Sequence, residues 1–340
     1  MPTLCTAGSK SMPASPSHVE PVSFVGLCWT GKLCYYASTM TTPLPYNLLT
    51  ILGPTASGKT RLAVALASEL DGEIISADSR QVFRGMDIGS GKDLHEYGQV
   101  PYHLIDILKS GAEFSVFAFQ RLFREAFEDI AGRGRLPVLC GGTGLYLDAV
   151  LRGYRMMEVP EDPLLRVVLD KLDSDELAAM LQELRPGQHN TSDLLERTRT
   201  LRAIEIAHFE AEHTGQQESP PEIHSLTIGI RWERSQLRRR ITERLQLRLE
   251  GGMIEEVQRL HEGGVAWERL DYYGLEYRYI GAFLQGKLNR NDMYQRLNSA
   301  IHDFAKRQEN WFKKMERNGV HINWVEGAGD PLAEARALIR

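Results

Sequence analysis

Gly53-Pro54-Thr55-Ala56-Ser57-Gly58-Lys59-Thr60 matches G-x-x-x-x-G-K-[ST], and the residues on either side fit the match. Leu48, Leu49, Ile51 and Leu52 precede it as an apolar run of strand length. Residues 61–70 follow, with Leu62, Leu66 and Leu70 on one helical face. Glycines let the backbone curl with its N–H groups turned inward, the helix start adds partial positive charge, and Lys59 adds a full one. The stretch therefore predicts a strand, a loop that binds a di- or triphosphate, and a helix. The Thr60 hydroxyl is the expected Mg²⁺ ligand, with Ser57 as a second. An ordinary glycine-rich turn would leave the lysine beside the last glycine unexplained. Many phosphate compounds fit such a loop, so the rest of the chain must narrow them.

With 340 residues, 42% of them hydrophobic, the chain can form one large or two modest domains with a real core. A net charge of −5 excludes a protein that coats nucleic acid by bulk basicity. Charge is nevertheless uneven: between positions 231 and 248, Arg231, Arg234, Arg238, Arg239, Arg240, Arg244 and Arg248 face only Glu233 and Glu243. Local basicity of this kind suits a polyanionic partner. Cys5, Cys28 and Cys34 precede the first motif and Cys140 alone lies in the body. That usage argues against a disulfide framework or zinc ribbon and for a reducing, cytoplasmic setting. No apolar run approaches a membrane span. Residues 1–45, rich in Ser, Pro, Thr and Gly, read as a disordered leader or an over-called start with the true initiator at Met40.

Outward from the loop, Glu73-Ile74-Ile75-Ser76-Ala77 reads as a buried strand that delivers Asp78-Ser79-Arg80-Gln81 to its carboxyl end. In a parallel sheet that end faces the ligand crevice, so Asp78 either stands beside the phosphate loop or serves as a turn or N-cap aspartate. A short strand is expected around His103-Leu104-Ile105-Asp106. Ser115 opens an amphipathic helix carrying Phe119, Leu122, Phe123, Ala126, Phe127 and Ile130. Leu136-Pro137-Val138-Leu139-Cys140 is a further buried strand, ending in Gly141-Gly142-Thr143-Gly144. No aspartate closes it, which counts against an NTP hydrolase with a Walker-B magnesium ligand.

The expected organisation is a core of residues 46–157 and 219–326, an all-helical insertion at 158–218, and a tail at 327–340. The insertion holds Pro160, Pro163 and Pro186 and a helix through Leu194, Leu195, Leu201, Ile204 and Ile206. Ser225-Leu226-Thr227-Ile228-Gly229-Ile230 returns as a core strand. Behind it a helix places Leu237, Ile241, Leu245 and Leu249 inward, with Arg238, Arg239 and Arg240 off that face, where a plain solvated surface is the alternative reading. A last long helix, about 292–317, has Leu297, Ile301, Phe304, Gln308, Trp311 and Met315 as its inner stripe. A buried glutamine costs about 1–3 kcal/mol unless hydrogen-bonded, so Gln308 either satisfies a backbone group or meets a ligand. Lys306, Arg307, Lys313, Lys314 and Arg317 form a second basic face, and residues 321–325 a closing strand.

This set of motifs resembles the tRNA dimethylallyltransferases, the isopentenyltransferases that act on tRNA. The phosphate loop, Asp78-Ser79-Arg80-Gln81-Val82-Phe83 with Met86-Asp87-Ile88-Gly89, Gly141-Gly142-Thr143-Gly144-Leu145-Tyr146, and Ala305-Lys306-Arg307-Gln308 with Trp311 carry the likeness. It runs from residue 47 to 325, and four signatures in the right order make it specific. The resemblance implies an α/β fold, a P-loop kinase-like parallel sheet with a helical insertion that grips the anticodon stem. It implies transfer of a dimethylallyl group from dimethylallyl diphosphate to N6 of the adenosine 3′ of a tRNA anticodon, with Mg²⁺ and release of pyrophosphate. Gly53 through Thr60 would hold the diphosphate, Thr55 near its bridging oxygen and Arg240 as the pyrophosphate arginine. Asp78 would bind the target amine and take its proton. Ser79, Arg80, Gln81, Thr143, Arg199, Arg202, Lys306, Arg307 and Gln308, with Asp78, would face tRNA. A monomer without membrane attachment is expected.

Three departures stand out. Ser90-Gly91-Lys92 replaces the common Thr-Ala-Lys, Tyr273-Gly274-Leu275-Glu276-Tyr277-Arg278 stands where Gly-Tyr-Arg is usual, and Ile301-His302-Asp303-Phe304 lacks an arginine before Ala305. The competing readings are a P-loop small-molecule kinase, an adenylate dimethylallyltransferase lacking the tRNA grip, and a protein that only binds tRNA. The last leaves Lys59, Thr60 and Asp78 without purpose.

Overall fold

The chain is described from a computed structural model, over residues 44–186, 196–213 and 220–339. The leader reading, and Leu194 and Leu195 of the insertion, therefore lie outside the described residues. Strand β1 (Leu48–Leu52) is buried at every position, the mark of a strand covered on both faces. It feeds the phosphate loop and α1 (Lys59–Glu69). Then follow β2 (Gly72–Ala77), β3 (Tyr102–His103), α2 (Val116–Gly132), β4 (Leu136–Gly141) and α3 (Gly144–Leu151). Ser115 caps α2 through its hydroxyl, 3.1 Å from the Ala118 N–H.

The insertion comprises α4 (Pro163–Leu169), α5 (Ser174–Leu184) and α6 (Arg197–Glu212). Its three helices share a small core of Leu169, Leu177, Leu181, Ala203 and Ile204. The chain returns through β5 (Ser225–Arg231) and α7 (Arg234–Glu250). It continues through α8 (Met253–Glu262), α9 (Trp267–Tyr273), α10 (Leu275–Leu284), α11 (Arg290–Arg317), β6 (Asn323–Glu326) and α12 (Pro331–Ile339). The six strands are ordered β3-β2-β4-β1-β5-β6, and every pairing is parallel. This is the α/β sheet flanked by helices, with a helical insertion, that the motifs predicted.

Two details differ from the sequence reading. The inner stripe of α11 is Leu297, Ile301, Ala305, Gln308, Phe312 and Met315, while Phe304 is exposed. The stripe follows 3.6-residue turns more closely than a count that favours bulky residues. The segment left as a tail at 327–340 contains α12, whose Ala335 is buried and whose Arg336 Nε donates to Glu69 Oε2 of α1 at 2.9 Å.

Candidate functional site

The phosphate loop owes its shape to two left-handed residues, Ala56 (φ 62°) and Gly58 (φ 90°), which turn successive N–H groups toward one side. Lys59 Nζ lies 3.4 Å from the Pro54 carbonyl, and burial pushes its pKa below the ordinary lysine value. Beneath it, burial pushes the Cys140 thiol up to about 12, so that cysteine is an inert neutral floor. The loop is braced from outside. Trp232 Nε1 donates to Ser57 O at 3.0 Å. Arg240 Nε donates to Ala56 O at 2.9 Å, its guanidinium 4.2 Å from the Trp232 ring centre.

Thr55 is gripped twice. Its N–H donates to Gln308 Oε1 at 2.8 Å, and its hydroxyl oxygen accepts from Arg244 Nη1 at 3.2 Å. Gln308 also donates from Nε2 to Gly142 O at 2.8 Å and is 7% exposed. The structure thus shows the backbone-satisfying role that the sequence left open for Gln308: both ends of the amide tie the phosphate loop to the end of β4.

Asp78 follows β2, and β4 stands between β2 and the loop-bearing β1. The aspartate and Lys59 therefore meet across a strand end, and that end is glycine. A Cβ on Gly141 would collide with the backbone of Ala77, and one on Gly142 would come within 2.5 Å of Gln308 Nε2. The low glycine floor lets the Asp78 carboxylate act on the Lys59 ammonium, favouring its charged form against the effect of burial. Asp78 Oδ1 accepts the Arg80 N–H at 2.8 Å, which sets the turn. Ser79 N–H donates to Thr143 Oγ1 at 3.1 Å, locking the β2 and β4 ends together. Arg80 spreads over Tyr272, 5.3 Å from the ring centre. Gln81 turns inward and is 8% exposed. Its Oε1 accepts from Ser76 Oγ at 2.8 Å and its Nε2 donates to Gly91 O at 3.1 Å.

Lys306 and Arg307 are exposed on α11. On the insertion, Arg199 pairs with Glu196 at 2.9 Å on the surface. Arg202 is engaged by its own scaffold, donating to Val159 O at 2.6 Å and to the buried Glu205 at 3.0 Å.

Sequence reading missed a second cluster. Arg244 and Arg248 follow Arg240 at four-residue steps, so one face of α7 aims all three at the loop. That spacing was the available signal. Arg244 Nη2 and Arg248 Nη2 each donate to Asp93 Oδ2 at 3.1 Å. Beside them a small cavity of about 20 Å³ is lined by Thr55, Ala56, Ile241, Leu245, Met253, Glu276 and Ile301. Burial pushes the Glu276 carboxyl up. The loop that carries Asp93 is itself pinned. Buried Lys92 donates to Phe83 O and Asp87 Oδ1, both at 2.7 Å, and to Asp106, and Glu256 accepts the N–H groups of Asp87, Ile88 and Gly89 at 2.9, 2.6 and 3.0 Å.

The residues present fit a magnesium ion of the phosphate-bridging kind. Ser57 Oγ is buried with no hydrogen-bond partner among the described residues, and Thr60 is part-exposed in the first turn of α1. Among the described residues no cluster of three or more His, Cys, Asp or Glu side chains could hold a metal. An ion here would complete its shell with phosphate oxygens and water.

The IPP transferase family profile matches residues 81–315, and the Isopentenyl transferase profile matches residues 46–100. A protein named tRNA dimethylallyltransferase 2 from Trichlorobacter lovleyi is 70% identical over 293 residues, which cover 86% of this chain and 96% of that one. Its namesake from Pelobacter propionicus is 70% identical over 294 residues, covering 86% and 94%. The crystal structure of a full-length tRNA isopentenylpyrophosphate transferase from Bacillus halodurans is 33% identical with a TM-score of 0.64, covering 86% of this chain and 95% of that one. A eukaryotic dimethylallyltransferase acting on tRNA shares the fold, with a TM-score of 0.70 at 21% identity and coverage of 86% and 77%.

Proposed function

The chain belongs to the IPP transferase family, and from that premise we propose that it transfers a dimethylallyl group to N6 of the adenosine 3′ of a tRNA anticodon. The donor in this reading is dimethylallyl diphosphate and the second product is pyrophosphate. One observation carries the assignment of roles: the phosphate loop and the Asp78 carboxylate face each other across the glycine end of β4. A diphosphate on the loop and an amine beside Asp78 would then share one crevice.

The N6 lone pair attacks C1 of the dimethylallyl group as the C1–O bond breaks, and the bond's electrons leave on the diphosphate. The N6 proton passes to Asp78. Loop N–H groups, Lys59 and Arg240 neutralise the leaving charge. A magnesium ion on Thr60 and Ser57 would add Lewis-acid neutralisation of the diphosphate. The target base must leave its stack to reach the crevice. Ser79, Arg80 and Thr143 border that mouth, and Arg199, Lys306 and Arg307 offer exposed charge for RNA phosphates. Helices α4, α5 and α6 supply the grip on the anticodon stem. A cytoplasmic monomer is part of this reading, and a tRNA substrate supports that location.

The test is incubation of the purified protein with magnesium, unmodified tRNA and labelled dimethylallyl diphosphate, followed by nucleoside analysis. Label in N6-dimethylallyladenosine is expected. Label on free AMP instead of tRNA would overturn the role of the insertion, and ATP consumption without label in either would return the kinase reading.

A further inference from the structure

We propose that Tyr272, near the carboxyl end of α9, is the stacking platform for a nucleobase that flanks the target adenosine. Two neighbouring tyrosines of this helix have opposite fates. Tyr273 is fully buried, its ring centre 4.6 Å from that of Phe83 and its hydroxyl donating to Ala112 O at 3.0 Å. Successive residues of a helix point about 100° apart, so that anchor turns Tyr272 outward, where it is 53% exposed. An isolated exposed tyrosine would carry no meaning. This one has two guanidinium groups against its ring, Arg80 at 5.3 Å and Arg269 at 5.8 Å from the ring centre.

Guanidinium planes stack nucleobases as aromatic rings do, so the three side chains offer one π surface. Its charge is positive. Arg80 makes no salt bridge among the described residues, and Arg269 pairs at 3.1 Å with the exposed Glu113. A flat ring bordered by cations suits a base together with its phosphates, and suits an apolar protein partner poorly.

Arg80 also ties this surface to the chemical site. Its backbone N–H donates to Asp78 Oδ1 at 2.8 Å while its side chain lies against Tyr272, so one residue joins the turn of the proton acceptor to the ring. Gly274 keeps them close. It ends α9 with φ 138°, a conformation that favours glycine, and a Cβ there would lie 3.8 Å from Arg80 Nε. When the target adenosine leaves its stack to reach Asp78, the base beside it loses a neighbour and bares a π face. A platform one arginine away from Asp78 replaces that lost contact and lowers the cost of extruding the target. Tyr272 takes no part in the chemical step. The plain rival is that its ring serves only to pack the two arginines.

This inference rests on the transferase reading above, so transfer and binding are measured side by side. Wild type, Tyr272→Ala, Tyr272→Phe and Tyr272→Trp are compared for kcat, for KM with tRNA and with dimethylallyl diphosphate, and for RNA affinity by filter binding. The RNAs are an intact anticodon stem-loop and two versions, each abasic at one of the two positions flanking the target. Tyr272→Ala should raise KM and Kd for the intact RNA about 5–100-fold and leave KM for the diphosphate unchanged. Tyr272→Phe and Tyr272→Trp, which keep a ring, should bind within about threefold of wild type. One abasic RNA should cost wild type a factor similar to that of Tyr272→Ala and cost Tyr272→Ala nothing further, because both changes remove the same stack. Equal losses in Tyr272→Phe and Tyr272→Ala would replace stacking by a hydroxyl contact and overturn the proposal. So would full additivity with both abasic RNAs, or unchanged RNA affinity in Tyr272→Ala, which would leave the packing rival. A wild-type protein that binds the RNA without transfer would sink the transferase reading, while the binding comparison would still decide the stack.

Discussion

Strand β2 carries a carboxylate at each end, and their surroundings could hardly differ more. Glu73, at the amino end, has a side chain 3% exposed that accepts hydrogen bonds from three cationic or titratable groups. Arg133 binds both its oxygens, Arg135 Nη1 reaches Oε1 at 2.7 Å and His103 Nε2 lies 2.7 Å from Oε2. The Arg133 guanidinium, with Arg135 and His103, holds its carboxyl far below the usual carboxylate range. Asp78, at the carboxyl end, receives the single N–H of Arg80. A saturated carboxylate is a fastening; one left with free lone pairs over a crevice can accept a proton from a substrate. In the proposed reading the same sheet keeps stability and chemistry at opposite ends of its strands, as parallel sheets with ligands at their carboxyl ends do.

The largest effect that can break this contrast comes from Asp78→Asn. Turnover should fall about 10²–10⁴-fold, since the variant keeps shape but cannot take the amine proton. Affinity for tRNA, measured by filter binding, should stay within a few-fold. Undiminished turnover would make Asp78 as structural as Glu73. Next in size is Arg240→Ala. The guanidinium braces Ala56 O and stacks on Trp232, so its loss should reduce kcat/KM for dimethylallyl diphosphate about 10–100-fold, with little change in tRNA binding. A defect confined to tRNA would move Arg240 to the RNA side.

How much of this was legible beforehand follows the range over which each signal acts. The phosphate loop and Asp78 were readable because strand, turn and helix are local and because residues after parallel strands have a known fate. Glu73 sat in plain view within an apolar run, yet its three partners are Arg133, Arg135 and His103, between 30 and 62 positions away. Gln308 announced itself as a polar member of an apolar stripe, but whether it met backbone or ligand depended on α11 crossing the loop, 253 positions from Thr55. Arg244 was visible in the four-residue spacing after Arg240. Asp93, which gives that spacing a purpose, lies 151 positions away and carried no periodic signal of its own.

Glu73→Gln tests the structural end. The substitution keeps volume and removes charge, and the loss should be about 1–3 kcal/mol by urea unfolding, with activity per folded molecule preserved. The pH dependence has a definite sign. The folded carboxyl is depressed below its unfolded value, so its stabilisation is full above about pH 4.3 and fades as pH falls further, while the variant's profile should be flatter across that window. Equal acid sensitivity in both proteins would mean that the three partners do not act through this carboxylate.

The smallest effect sharpens the contrast most. His103→Ala removes one of Glu73's three partners, the only one supplied by the short edge strand β3. If saturation is what distinguishes this end, the partners are partly redundant, and two arginines should keep the carboxylate satisfied. The expected loss is about 0.5–1.5 kcal/mol, smaller than for Glu73→Gln, with kcat and both KM values unchanged. An unfolding midpoint lowered as far as in Glu73→Gln would show that His103 is the indispensable contact, and the two ends of β2 would then differ in which partner they have rather than in how many.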